Sequence, residues 1–538
     1  MKHVVALAAV FSLAACEACV APAFAAGHDG PPPSAARASA LFTPREVKSY
    51  GTVTVGGHKI AYEAVAGTII VRPKGWDDAA TPTGGKHALG MPDGPPVASM
   101  FYVAYFRRGV PAHERPVTFL YNGGPGSSTV WLHMGAFGPV RVVTNNDTHT
   151  PAAPYGIIKN KYSLLDATDL VFIDAPGTGY SRIEGKGAVK AFYGVDPDAH
   201  AFASFITQFL TRFKRWNSPK YLLGESYGTP RSAVLIKDLS IDRNVDFNGV
   251  ILLSQILNFS LTADAPGTDP GVELPYELAL PSMAATAWYH HRVPSDPPHL
   301  RPFLKQVEHF AMGKYADALA QGAALPEAER QSIAEQMHQY IGLPVAYLLK
   351  ANLQVSGPEF EHELLANDDM TTGRLDTRFQ GPSMDPLSRT AEYDPQSAAI
   401  SSAYVTAFNA YASKDLHYKT DLRYLPEIFT HWDFKHRPPG ARIALPIATN
   451  VMPDLATAMK YDPLLKVMLN GGYYDLATPF CEGLYEMHHL QIPASLQSNI
   501  SYHYYKSGHM IYVNIPALKQ LHANIAAFIR KTDNVSGG

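Results

Sequence analysis

The sequence predicts an α/β fold, a mostly parallel central sheet with a helical insertion, and three observations carry that prediction. Short, nearly unbroken apolar runs at 117–121, 170–173, 221–223, 250–253 and 467–469 have the character of strands buried on both faces. Helical patterns separate these runs, as connections between parallel strands require. From about residue 262 to 444 the pattern turns proline-rich and helical, and strand-like runs resume only near Val467.

Taken in order from the N-terminus, Lys2 and His3 precede an uncharged, mostly apolar run at 4–15, the length of a signal peptide and too short to span a bilayer. Two cleavage readings remain open. Leu13-Ala14-Ala15-Cys16 resembles a lipoprotein processing box, which would leave Cys16 as a lipidated N-terminus. Ala23-Phe24-Ala25 offers an ordinary small-x-small cut, which would remove both Cys16 and Cys19. Either way the protein is expected to be exported, with residues 1–26 as signal and only Cys481 left within the mature fold. One internal cysteine cannot supply a disulfide framework, so the core must hold the fold alone.

Residues 27–47, opening Gly27-His28-Asp29-Gly30-Pro31-Pro32-Pro33, read as a flexible leader. Folding should begin near Tyr50, and β-branched and aromatic runs at 59–62, 67–71 and 100–106 predict antiparallel strands at one edge of the sheet. Asp196-Pro197 opens a stretch with Phe202, Phe205, Ile206, Phe209, Leu210 and Phe213 at i, i+3, i+4 spacing, an amphipathic helix covering one sheet face. Within 262–444, patterns at 302–320 and 326–349 predict helices packed as a lid over the sheet's carboxyl edge. The resulting division is sheet core at 48–261, insertion at 262–444 and sheet core again at 445–538.

Composition bounds the partners. A chain of 538 residues with 46% hydrophobic content can bury a large core, while 45 basic against 48 acidic residues leaves a net charge of −3. That balance has no footprint for nucleic acid or an anionic membrane, so a lipid anchor at Cys16 would be the only membrane attachment.

The chemistry concentrates in a few loops. Gly224-Glu225-Ser226-Tyr227-Gly228 follows the 221–223 run and precedes a helix-compatible stretch at 230–239, the context of a nucleophile elbow. On such a turn the serine is held in a strained backbone conformation, and glycines two residues to either side let sheet and helix approach. The hydroxyl needs a base, and in this order the acid and histidine follow downstream at strand ends. Asp475 follows the strand ending near Leu469 and is the expected acid. His509 follows an alternating strand at 500–505, in the small-residue loop Ser507-Gly508-His509, and is the expected base. The pairs His290-His291 and His488-His489 lack a second ligand cluster at metal spacing, so neither a metal nor a cofactor is expected.

Five blocks stand in a recognisable order: Asn122-Gly123-Gly124-Pro125-Gly126-Ser127-Ser128 with Gly138-Pro139 beyond it, Asp174 to Ser181 around Pro176-Gly177-Thr178-Gly179-Tyr180, Gly224 to Gly228, Asp475, and Gly508-His509-Met510. Together they resemble the serine carboxypeptidases. The resemblance implies an α/β-hydrolase fold and an acyl-enzyme mechanism, with Ser226 as nucleophile, His509 as general base then acid, and Asp475 orienting it. It further implies an oxyanion hole from the amides of Gly124 and Tyr227, and capture of a peptide's free terminal carboxylate by Asn122, Gly123 and Glu225. One position departs. The family's second glutamate, which shares a proton with the first, is replaced by Ala136. Without that pair, activity should decline less steeply toward neutral pH than a proton-sharing pair would dictate.

The leading function is therefore carboxypeptidase action on peptides with a free C-terminus, in the periplasm, at the outer membrane or outside the cell. An esterase, amidase or acyltransferase using the same triad is the alternative that Ala136 keeps open. A catalytically silent binding protein would normally have lost the serine, acid or histidine.

Overall fold

The structure, a computed structural model, describes residues 41–75, 94–441 and 449–535. The expected signal segment with Cys16 and Cys19 lies outside them. Among the described residues the strands are β1 (Glu46–Val55), β2 (His58–Val71), β3 (Val97–Arg107), β4 (Val117–Tyr121), β5 (Val140–Val142), β6 (Ile157–Lys159), β7 (Asp169–Ile173), β8 (Arg182–Glu184), β9 (Lys220–Glu225), β10 (Gly249–Leu253), β11 (Met370–Thr372), β12 (Gln380–Pro382), β13 (Lys466–Gly472) and β14 (Ile500–Tyr505).

Ten of these make one sheet in the order β1-β2-β3-β7-β4-β9-β10-β13-β14, with β8 beside β3. The β1, β2, β3 edge is antiparallel, and every neighbour from β7 to β14 is parallel. The runs at 59–62 and 67–71, predicted as separate strands, are one 14-residue strand, because no turn-forming residue interrupts Glu63 to Ala66.

Successive strand residues serve opposite faces, as the pleat dictates. Tyr221, Leu223, Ile251 and Met468 pack with Leu518, Leu521 and Ile525 of the C-terminal helix Ile515–Thr532. Leu222, Val250, Leu252 and Val467 face Phe202, Phe205, Ile206 and Phe209 of the helix Val195–Arg212. Each such fully buried large side chain contributes about 1.5–3 kcal/mol relative to exposure. Asp196 and Asp198 in the first turn of Val195–Arg212 and Arg212 in its last turn suit the helix dipole.

Between β10 and β13 the chain leaves the sheet and builds helices with a core of their own, which includes Leu304, Val307, Met337, Ile341 and Phe360. The predicted helix at 326–349 divides into Glu327–Ile341 and Val345–Lys350, because Gly342 is left-handed (φ 74°) and Pro344 cannot continue the helix. The pattern at 302–320 breaks likewise, at Gly313. The insertion also contains the β11-β12 pair, and its last helix, Pro395–Lys414, sends Tyr404, Phe408 and Tyr411 into the core beneath the sheet. Tyr474, Leu476 and Phe480, just past β13, join the insertion's core and fasten it to the carboxyl edge. A mostly parallel sheet with helices on both faces and a helical insertion after β10 is the α/β-hydrolase architecture.

Candidate active site

Because β9, β10, β13 and β14 are parallel neighbours, the loops at their carboxyl ends share one edge of the sheet. Ser226 sits in the turn between β9 and the helix Gly228–Lys237. Its φ of 58° is left-handed, an unusual conformation for a serine, and its N–H donates to Leu253 O at 3.0 Å. Glu225 and Tyr227 on either side are buried, whereas Ser226 is partly exposed. Ser254, the next residue after β10, donates its hydroxyl to His509 O at 2.7 Å. Leu253 and Ser254 thus tie the serine turn to the histidine loop.

His509 Nδ1 lies 2.8 Å from Asp475 Oδ2. Asp475 is fully buried, and Thr478 steadies it twice, through its N–H to Oδ1 at 3.0 Å and its hydroxyl to Oδ2 at 2.7 Å. An ionised carboxylate against Nδ1 places the ring proton there and leaves Nε2 as the basic nitrogen. Burial alone would lower the basicity of His509, but the charge and hydrogen bond of Asp475 override it and hold the imidazole above its ordinary pKa. Among the described residues Nε2 makes no hydrogen bond.

Sequence reasoning missed the brace on this histidine. A segment of the insertion, Arg374 to Arg378, wedges between the acid loop and the histidine loop. His509 N donates to Leu375 O at 2.6 Å, Leu476 N to Arg374 O at 3.1 Å and Thr377 N to Tyr474 O at 2.9 Å. Asp376 Oδ2 accepts from Gly508 N at 3.1 Å, and Arg378 Nε donates to Asp376 Oδ1 at 2.9 Å. A Cβ at Gly508 would come within 2.5 Å of Asp376 Cα and Cγ. Gly508→Ala is therefore expected to push His509 out of line and lower kcat/KM about 10- to 100-fold, read on an ester substrate beside a thermal melt showing a folded protein.

The loop after β4 brings Gly123 against the serine turn: a Cβ there would lie 2.7 Å from Tyr227 Cα and Gly228 N, so only glycine allows this approach. Among the described residues neither Gly124 N nor Tyr227 N donates to an acceptor. Tyr227 also precedes the helix Gly228–Lys237, whose dipole favours negative charge at this end. The 174–181 block supports the loop, with Thr129 N donating to Asp174 Oδ1 at 2.8 Å.

Asn122 faces both ways. Its Nδ2 donates to Glu225 Oε1 at 2.7 Å and its Oδ1 accepts from Leu132 N at 3.1 Å. Its carbonyl oxygen accepts from Arg231 Nη1 at 2.7 Å, and Arg231 is itself paired with Asp198, both side chains fully buried. Glu225 Oε1 takes a second donor, Tyr512 Oη, at 3.1 Å, whereas the buried Oε2 has no partner. Burial raises the Glu225 carboxyl to about 7, against the lowering influence of His509, Tyr512 and Asn122. Ala136 is fully buried in the turn Leu132–Phe137.

The structure thus gathers Ser226, Asp475, His509, Gly124, Tyr227, Asn122, Gly123 and Glu225 at one edge. Of the histidine pairs, His290 Nε2 lies 2.6 Å from Thr377 O in the bracing segment, and His489 Nδ1 lies 2.7 Å from Tyr485 O within its own helix end. Among the described residues no group of three or more His, Cys, Asp or Glu side chains is arranged to hold a metal ion.

Residues 91–259 match the peptidase S10 family model, described as serine carboxypeptidase. That stretch carries the 122–128 loop and the serine turn, and stops before Asp475 and His509. Serine carboxypeptidase-like 36 of Arabidopsis thaliana is 27% identical over 31% of this chain and 34% of its own length. A carboxypeptidase Y homolog of Arthroderma benhamiae is 31% identical over 27% of each chain. A pheromone-processing carboxypeptidase of Cryptococcus gattii is 32% identical over 24% of this chain and 18% of its own. The chain therefore aligns with about a third or less of the length of these relatives. Among solved structures, a proline iminopeptidase of Mycobacterium smegmatis is 13% identical, covering 91% of this chain and 100% of that one with a TM-score of 0.33. A peroxisomal alpha-beta-hydrolase of Saccharomyces cerevisiae is 12% identical over 88% and 90%, also at 0.33.

Proposed function

We propose that this chain is an exported serine carboxypeptidase that removes C-terminal residues from peptides through an acyl-enzyme formed on Ser226. The observation that carries this reading is the 2.8 Å pair of His509 and Asp475 at the same sheet edge as a left-handed serine preceded by a buried carboxyl. In the first half-reaction Ser226 Oγ attacks the carbonyl carbon of the last peptide bond while His509 Nε2 takes its proton. Asp475 stabilises the imidazolium that forms, and the amides of Gly124 and Tyr227 receive the oxyanion. His509 then returns the proton to the leaving amine, which departs as the freed terminal amino acid. In the second half-reaction water loses a proton to Nε2 and attacks the acyl carbon, and the proton passes back to Oγ as the shortened peptide leaves. Asn122, Gly123 and Glu225 recognise the substrate's terminal carboxylate, and the helical insertion, acting as a lid, shapes side-chain preference.

Export is supported by the charged start and apolar run at 4–15, with either cleavage reading compatible. No helix among the described residues is long and apolar enough to cross a membrane. A second reading, esterase, amidase or acyltransferase, is favoured by Ala136, which removes a carboxyl from the terminal-carboxylate site. A fluorophosphonate probe should label Ser226 under either reading, and failure to label it would defeat both. Relative kcat/KM on a peptide acid, its amide and its ester separates the two. Preference for the acid supports the carboxypeptidase, and preference for the ester with no action on the acid supports the alternative.

A further inference from the structure

Glu225 is held in an uneven way. Both of its donors, Asn122 Nδ2 at 2.7 Å and Tyr512 Oη at 3.1 Å, converge on Oε1, and Oε2 is buried with no partner. Two donors fill both lone pairs of Oε1, so when Glu225 carries a proton the place left for it is Oε2. Tyr512 sits in the turn Ile511–Val513, three residues after His509, fully buried. Its ring edge lies 2.9 Å from where a Gly135 Cβ would be, so the absence of a side chain there makes its room beside Ala136.

The groups that face Glu225 are few. His509 and Asp475 act on it across the serine turn, Asn122 and Tyr512 bond it, and Tyr404 of the helix Pro395–Lys414 lies near enough to feel its charge. Both tyrosine hydroxyls are pushed above their ordinary range by burial and stay protonated wherever the protein is folded and active. His133, on the same turn as Ala136, is turned away, 2.7 Å from Tyr105 Oη.

We infer that Tyr512 is a positioning residue which fixes Glu225 as a one-proton donor, with that proton on Oε2, toward the terminal carboxylate of the substrate. This rests on the carboxypeptidase reading and adds to it a specific consequence. A tyrosine that never ionises stands where a second carboxyl could have shared the proton, so recognition follows one titration, not the two of a coupled pair. Below about 7 Glu225 is protonated and donates to the carboxylate; above it the ionised form repels that carboxylate. Removing the Tyr512 hydroxyl deletes a donor that favours the ionised form, which moves the midpoint to higher pH. It also frees Oε1 to carry the proton, which weakens recognition where both proteins are protonated.

The test uses hydrolysis of p-nitrophenyl acetate, inhibited by N-benzyloxycarbonyl-phenylalanine or by its amide, for the wild type and Tyr512→Phe between pH 4.5 and 9. For the wild type the inference expects the acid's Ki to weaken through a single transition near pH 7 while the amide's Ki stays flat. In Tyr512→Phe the ratio of acid Ki to amide Ki at pH 5 should rise about 3- to 10-fold, with the midpoint displaced upward. An unchanged ratio and midpoint in the variant, or two transitions in the wild type, would overturn the inference. The wild-type profile decides even where the variant does not fold. A wild type that hydrolyses the ester yet binds acid and amide alike over the whole range would instead remove the carboxypeptidase reading itself, and the inference with it.

Discussion

Ser226→Ala is expected to lower kcat on peptide and ester substrates by about 10⁴- to 10⁶-fold. On the proposed mechanism the substitution deletes the one atom that forms the acyl bond and leaves its surroundings in place. The backbone anchor from residue 226 N to Leu253 O survives, as do the Asp475–His509 pair and the amides of Gly124 and Tyr227. Alanine tolerates the left-handed φ about as poorly as serine, so stability should move by no more than about 0.5 kcal/mol. The remaining rate would come from the oxyanion amides and from binding alone. A loss much smaller than 10³-fold, about 4 kcal/mol of barrier, would mean that another group carries the chemistry.

Asp198→Ala should be the most destabilising single change around the site, by about 3–5 kcal/mol in chemical unfolding. Arg231 and Asp198 are both fully shielded from solvent, with Arg231 Nε 2.6 Å from Asp198 Oδ2 and its guanidinium 4.3 Å over the Phe202 ring. Truncating the aspartate strands a cation that cannot reach water. The penalty reaches function as well, because the same guanidinium donates to Asn122 O at 2.7 Å and so sets the loop that approaches Ser226. The double change Asp198→Leu with Arg231→Met should recover much of the lost stability, since replacing a buried ion pair by apolar groups of similar volume is often neutral or stabilising. It would not restore the Asn122 anchor, so stability and activity should separate. A loss below about 1 kcal/mol for Asp198→Ala would show that water reaches the pair.

The parallel strands were legible because burial on both faces leaves a plain mark. The runs at 117–121 and 250–253 need no neighbour to identify them, and β4 spans the first while β10 adds only Gly249 to the second; 500–505, the half-buried β14, was marked instead by its alternation. The placement of Ser226, Asp475 and His509 in loops at one sheet edge could be read because an elbow and two strand-end loops are local signals. What could not be read depends on contacts between distant segments. Asp376 braces Gly508 from 132 positions away, and nothing local distinguishes it from other acidic loop residues. Arg231 lies on a short helix beside the serine, where a charge would ordinarily be solvated, and only the packing against Phe202 and Asp198 shows its role. Tyr512 reads as a core aromatic, and its hydroxyl acquires meaning only beside Glu225. The break at Gly342 and Pro344, by contrast, was written locally in a glycine and a proline two apart, which a helical periodicity scan passes over.

The central claim is that this site removes residues from a free C-terminus through Ser226. Its most direct test is mass-spectrometric digestion of one peptide, with a free and with an amidated C-terminus, by the wild type and by Ser226→Ala. Stepwise shortening of the free-acid peptide, faster than of the amide and abolished by Ser226→Ala, is the predicted result. An intact free-acid peptide after labelling has shown Ser226 to be reactive would contradict it and assign the triad to ester or acyl-transfer chemistry.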